Sequence, residues 1–273
     1  METRLDYEPI QRLSRDLKVA AASLSRVEAR YLVDSYYQMQ QDRIRADGQI
    51  LAQVGTGEPH AVLSWLGANT ASLEGQIRRA LGAYSSAHPV GRWAESIVGI
   101  GPVISAGLLA HIDITRAPTV GHIWRFAGYD PTVTWEKKMK RPWNAQLKRL
   151  CWIIGESFVK VSSHEADIYG KLYHQRKALE IDRNTRGLFA EQAAAMLVRK
   201  RFQNKTGAKA AYEAGRLPPG HLHARAKRWA VKLFLSHWHH VAYTQHYGVA
   251  PPKPYVLTEA GGHAHAIPVP NWP

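Results

Sequence analysis

The sequence predicts an all-α protein, with a helical, coiled-coil-like arm at the front and a larger basic helical domain behind it. Three observations support that class. Apolar side chains recur at three- and four-residue intervals through most of the 273 residues. Nothing in the first ninety residues alternates as a half-buried strand would. Glycine and proline cluster between the periodic runs, where turns belong.

The elements follow in chain order. From Pro9, the residues Ile10, Leu13, Leu17, Ala20, Ala21 and Leu24 share one helical face. A second run, Val27 to Val54, carries Tyr31, Leu32, Tyr36, Tyr37, Met39, Ile44 and Ile50 among Arg, Gln and Asp, and Gly55-Thr56-Gly57 stops it. A third spans His60 to Tyr84, with Gly67 as a candidate break, and ends at the breaker cluster Ser85 to Pro89. Next comes SIVGIGPVISAGLLAHI, in which Pro102 opens a helix of small apolar residues. A helix from Pro118 stops at Gly128-Tyr129-Asp130-Pro131, and the basic loop TWEKKMKRPWN leads into a large apolar helix, Leu147 to Val159. Helices are expected at Glu165 to Lys177, Gly187 to Phe202 and Leu222 to Tyr247, with QNKTGAKAAYEAGRLPPGH as a non-helical link before the last. The tail from Gly248 is proline-rich and expected to be extended. The domains expected are therefore 1–90, 91–247 and 248–273.

Composition narrows the function classes. One cysteine, Cys151, rules out an internal disulfide framework and a CxxC zinc module, and fits a reducing compartment. METRLDYEPI has no apolar stretch of a signal peptide, and no window holds eighteen uninterrupted apolar residues, so a cytoplasmic protein without a membrane partner is expected. The net charge is +14, from 36 basic and 22 acidic side chains. Residues 1–90 hold ten of each, so the remainder carries the entire excess. A neutral arm joined to a strongly basic half points to a polyanion-binding domain.

Four groups of residues could make that contact. Gly99 and Gly101 frame a helix-hairpin-helix-like turn whose backbone can approach a phosphate, although tight helix packing explains the same glycines. Lys137, Lys138, Lys140, Arg141, Lys148 and Arg149 surround Trp135 and Trp143, a mixture of cations and flat rings suited to RNA or single strands. On the last helix, Arg225, Lys227, Arg228 and Lys232 supply another basic wall, with Arg225, Arg228, Lys232 and His239 spaced to form one stripe. Arg199, Lys200, Arg201, Lys205 and Lys209 form a fourth cluster.

Catalytic and metal signatures are thin. GxSxG, Walker A and HExxH patterns are missing. His237, His239 and His240 lie close together, but the acids and cysteines that would complete a zinc site are scarce, so no metal and no cofactor is expected. Asp6, Glu28, Asp34, Asp42 and Asp47 sit among Arg and Gln, as on a solvated helix face.

The segments GIGPVISAGLLAHI, APTVGHIWRFAGYDP and QLKRLCWIIGESFVK, in that order, resemble the C-terminal domain of bridge-RNA-guided insertion-sequence transposases. The likeness covers about Trp93 to Lys177. The chain departs from that family in two respects. Helices stand in place of its N-terminal nuclease domain, and TVTWEKKMKRP holds Thr132 and Thr134 where the family carries a serine nucleophile. A helical arm before a basic helical domain is also similar to the Nop domain of box C/D ribonucleoproteins, and to the Tas proteins of tandem interspaced guide RNA systems, here of the nuclease-free kind. That resemblance implies a small box C/D-like, dual-spacer guide RNA, target DNA chosen by base pairing, a homodimer and no catalytic residue. A shortened transposase or recombinase acting on DNA, and an RNA-free helical DNA-binding protein, are the alternatives.

Overall fold

The computed structural model describes residues 12–53, 61–202, 206–254 and 266–273. These residues contain eleven α-helices and one 3-10 turn at Ile114–Arg116, and no strand. Arg15–Ala21 (α1), Arg26–Gln53 (α2), Ala61–Ala87 (α3), Pro89–Glu95 (α4) and Pro102–His111 (α5) come first. Val120–Phe126 (α6), Ala145–Lys160 (α7), Tyr169–Thr185 (α8), Ala190–Arg199 (α9), Gly207–Glu213 (α10) and Pro219–Tyr247 (α11) follow. They gather into two compact units: residues up to Ser96 with Gly101–Asp113, and Ile97–Ile100 with Ile114–Pro273. The boundary expected after residue 90 therefore differs from the observed division, because α4 and α5 pack with the helices before them.

In the first unit, α2 starts with a reciprocal cap. The Ser25 hydroxyl accepts from the Glu28 N–H at 3.3 Å, and the Glu28 carboxylate accepts from the Ser25 N–H at 2.7 Å. Helices α2 and α3 run antiparallel, so Ala29, Val33 and Tyr36 meet Leu81 and Tyr84, while Arg43 pairs with Glu74 at 2.6 Å farther along. The small side chains of α5, Val103, Ala106 and Ala110, complete this core. Gly67 does not interrupt α3; it lies against Ala46 and Ile50, each 3.6 Å from where a Cβ would stand. The start of the run expected from Pro9, and the Gly55-Thr56-Gly57 stop, lie outside the described residues.

The second unit is organised on α11, which packs against α6, α7 and α8. Phe158 of α7 stacks on Tyr169 of α8 at 4.8 Å, and Phe234 of α11 meets both rings edge-on. Three buried aromatic faces on three helices fix their mutual angles beyond the area they bury. Helices α9 and α10 close over Phe189, Ala193, Tyr212, Leu217 and Leu222. The link expected before the last helix thus contains a helix, α10, capped by Thr206, whose hydroxyl accepts from the Lys209 N–H. Tyr212 anchors it, which sets tertiary burial above the weak local pattern. A proline opens α11, and Gly248 at φ 71 ends it.

Candidate nucleic-acid interface

The site is built on the end of α6, the basic loop, the start of α7 and the middle of α11, all within the second unit. Helix α6 closes with Gly128 at φ 71. The Tyr129 N–H donates to the Trp124 carbonyl at 2.7 Å and the Gly128 N–H to that of Arg125 at 3.1 Å, the paired bonds of a Schellman turn. Only glycine fits there: an added Cβ would lie 3.0 Å from both Lys148 Cδ and Trp143 Cγ. The loop leaves through Asp130, whose carboxylate accepts from the Thr132 N–H and hydroxyl. It returns through Asn144, whose N–H donates to the Phe126 carbonyl at 2.9 Å and whose side chain caps α7 by accepting from the Leu147 N–H at 2.8 Å. Both ends of the loop are therefore tied to the helices that flank it.

Cations and indoles pair within this frame. The Lys148 ammonium sits 3.8 Å from the centre of the Trp143 ring, and the Arg141 guanidinium 5.6 Å from that of Trp135. The two indoles meet edge to face at 6.1 Å. The Lys232 ammonium lies 4.1 Å from the centre of the Trp124 ring, and the Trp124 Nε1–H donates to the Lys232 carbonyl at 3.1 Å, joining α6 to α11. Contacts of this kind hold a cation without neutralising it. Burial lowers the pKa of Lys148, and Arg141 and Arg228 lower it further. Burial also lowers Lys232, with Asp130 opposing, and lowers Arg228, with Arg225 adding to the effect. Hydrogen bonds from Thr132 hold the Asp130 carboxyl below its usual range, and Arg125 and Lys232 add to that. Positive groups thus crowd one another here and outnumber the two carboxylates of the loop, Asp130 and Glu136.

The remaining predicted residues have varied settings. Lys137, Lys138 and Lys140 are exposed on the loop, and none of the three has an ion-pair partner among the described residues. Arg149 is exposed on α7. Arg225 and Lys227 point elsewhere: Arg225 pairs with Glu180 at 2.8 Å and donates to Gln192, and Lys227 pairs with Glu156. Arg199, Lys200 and Arg201 are exposed around the end of α9, Lys209 pairs with Glu213 at 3.5 Å, and Lys205 lies outside the described residues.

The helix-hairpin-helix-like turn is explained by packing on its second-unit side. Gly99 has φ 95, its carbonyl accepts from the Ser157 hydroxyl at 2.6 Å, and a Cβ would stand 3.1 Å from Val161 and 3.2 Å from Ser157. Gly101, the N-cap of α5, has φ −93 and open space where a Cβ would be. The basic stripe expected on α11 stops short of His239, which is buried with Nε2–H donating to the Ala117 carbonyl at 2.8 Å. His237 is buried as well: its Nε2–H donates to the Ile267 carbonyl, and its Nδ1 accepts from the Tyr169 hydroxyl at 2.6 Å. Among the described residues, no group of three His, Cys, Asp or Glu side chains could hold a metal ion. No described helix is long and apolar enough to cross a membrane.

The local sequence does not mark Trp124 as the seat of Lys232. The signal for the turn beside it was present, since Gly-Tyr-Asp-Pro requires a left-handed residue at the helix end. The partner on α11, 108 residues away, had no local signature. No protein-family model, curated protein or solved structure matches this chain.

Proposed function

We propose that the second unit binds a small structured RNA, and that this RNA directs the protein to complementary DNA by base pairing, with no nuclease activity of its own. The crowding of Arg141, Lys148, Arg228 and Lys232 beside indole rings, in excess of the loop carboxylates Asp130 and Glu136, carries this reading. A protein that buries part of its cationic charge without acids to match gains stability when a polyanion supplies the counter-charge. In such complexes the protein grips backbone and shape, and pairing carries the sequence information. The guide and the DNA target come from the resemblance; the chemistry of the site supports the polyanion and the aromatic contacts.

The test is a salt series on the purified full chain with a structured small RNA. The logarithm of the association constant should fall linearly with the logarithm of salt concentration, by about 0.7 to 0.9 per phosphate neutralised. Replacing Arg228 and Lys232 together by Gln should reduce both affinity and slope, while Lys209→Gln, already ion-paired, should change little. A flat salt response would overturn the reading. Equal binding to RNA and to duplex DNA of the same length would favour the RNA-free DNA-binding alternative.

A further inference from the structure

The loop between α6 and α7 is more constrained than charge capture alone requires. Trp135 Nε1–H donates to the Met139 carbonyl at 2.7 Å, and the Met139 N–H donates to the Glu136 carbonyl at 3.1 Å. Lys138, between them, sits at φ 82, in the left-handed region that side-chain-bearing residues rarely occupy. The two hydrogen bonds close the turn around Lys138 and tie the indole to the loop backbone. The result is a fixed indole. Its only polar atom is already satisfied within the loop, and the residue retains 36% of its surface in solvent. Trp143 backs it edge-on at 6.1 Å, and Arg141 and Lys148 flank the pair.

A ring with no free N–H offers a ligand its π-face and nothing to hydrogen-bond. A flat apolar ligand satisfies that face, and the cations on either side require the ligand to carry negative charge next to its flat part. Unpaired nucleotides combine both properties, since each base has an exposed face and each linkage a phosphate. A duplex presents phosphates but keeps its base faces stacked inside. We propose that Trp135, backed by Trp143 and flanked by Arg141 and Lys148, is a stacking platform for an unpaired nucleotide, so that the RNA is gripped at a single-stranded segment. This rests on the RNA reading above and specifies which part of the RNA the loop holds. Because a base face is common to all four bases, the platform tolerates sequence, as a protein that leaves sequence choice to pairing requires.

The test compares fluorescence anisotropy of a short oligouridylate and of a blunt RNA duplex of equal charge, titrated with the full chain. Trp135→Ala should weaken oligouridylate binding about tenfold and leave duplex binding unchanged. Trp135→Phe, which keeps a π-face, should restore most of the loss. The double change Lys137→Gln and Lys140→Gln should weaken both ligands alike, and thermal unfolding should show that each variant folds. Loss on both ligands with Trp135→Ala, or loss on neither, overturns the platform. Wild-type protein that binds the duplex but not oligouridylate also overturns it and leaves the RNA reading standing, whereas binding to neither overturns both.

Discussion

Gly99 and Gly101 differ by two positions and by everything that makes a glycine necessary. At Gly99 the backbone is left-handed and the site is closed by Val161, Ser157 and Phe158. Gly99→Ala therefore combines an unfavourable φ with a contact at 3.1 Å, and should cost about 1–3 kcal/mol in urea unfolding. Gly101→Ala should cost under about 0.5 kcal/mol, since its φ suits any residue and its surroundings are open. The reverse order would contradict the packing account of this turn. The GxG pattern announced both glycines alike. What separates them, a hydroxyl and a ring 58 and 59 residues along the chain, leaves no trace in the local sequence.

At the scale of elements, α11 shows what periodicity can and cannot convey. Its length and its apolar face were legible, because a 29-residue amphipathic run has few other uses. The division of its cations was not. Arg225 serves Glu180, which is only 1% exposed and also bonded to Arg176 at 2.5 Å, while Arg228 and Lys232 face the loop. Burial alone would raise the Glu180 carboxyl, but Arg225 and Arg176 outweigh it and hold it below its ordinary value. Glu180→Gln should therefore strand two arginines and destabilise the second unit by about 3 kcal/mol in chemical denaturation. A loss within about 0.5 kcal/mol would show that the pairs are solvated. The α10 helix was misread for a related reason: its glycine- and alanine-rich sequence looks like a connector, and only the burial of Tyr212 against Phe189 and Leu222 recruits it.

At the scale of the molecule, the all-α class was readable from spacing alone, and the uneven charge was readable from composition. The histidines were not, since their meaning depends on burial. His111 in the first unit is pushed down to about 4 by burial and by Arg30 and Arg26, and His237 in the second to about 4 by burial, opposed by the Ile267 carbonyl and reinforced by His240. Above the unfolded value of 6.5 both are neutral in either state and the fold keeps its full stability. As pH falls from 6.5 toward 4 the unfolded chain takes up the proton first, so each unit loses stability by up to about 1.4 kcal/mol per pH unit. Denaturation at pH 7.5 and pH 5 should show that loss, and His237→Phe should reduce it in the second unit, where burial also lowers His239, His221, His223 and His240; stability independent of pH would contradict it.

The first unit leaves Val27, Tyr31, Ile44 and Leu51 exposed on α2, and Val62, Trp65 and Leu66 exposed on α3. The homodimer implied by the resemblance would draw on these side chains. Tyr31→Lys with Leu66→Lys should then convert a dimer to a monomer in sedimentation without unfolding it. A wild-type monomer at the same concentration would sink that part of the reading.

Guide-RNA binding is tested by purifying the full chain from cells at low salt, extracting what it carries, and sequencing it. One discrete small RNA is expected, removed by ribonuclease and by high salt, and depleted by the Arg228→Gln, Lys232→Gln variant. Recovery of DNA alone, of heterogeneous fragments, or of no nucleic acid would contradict it.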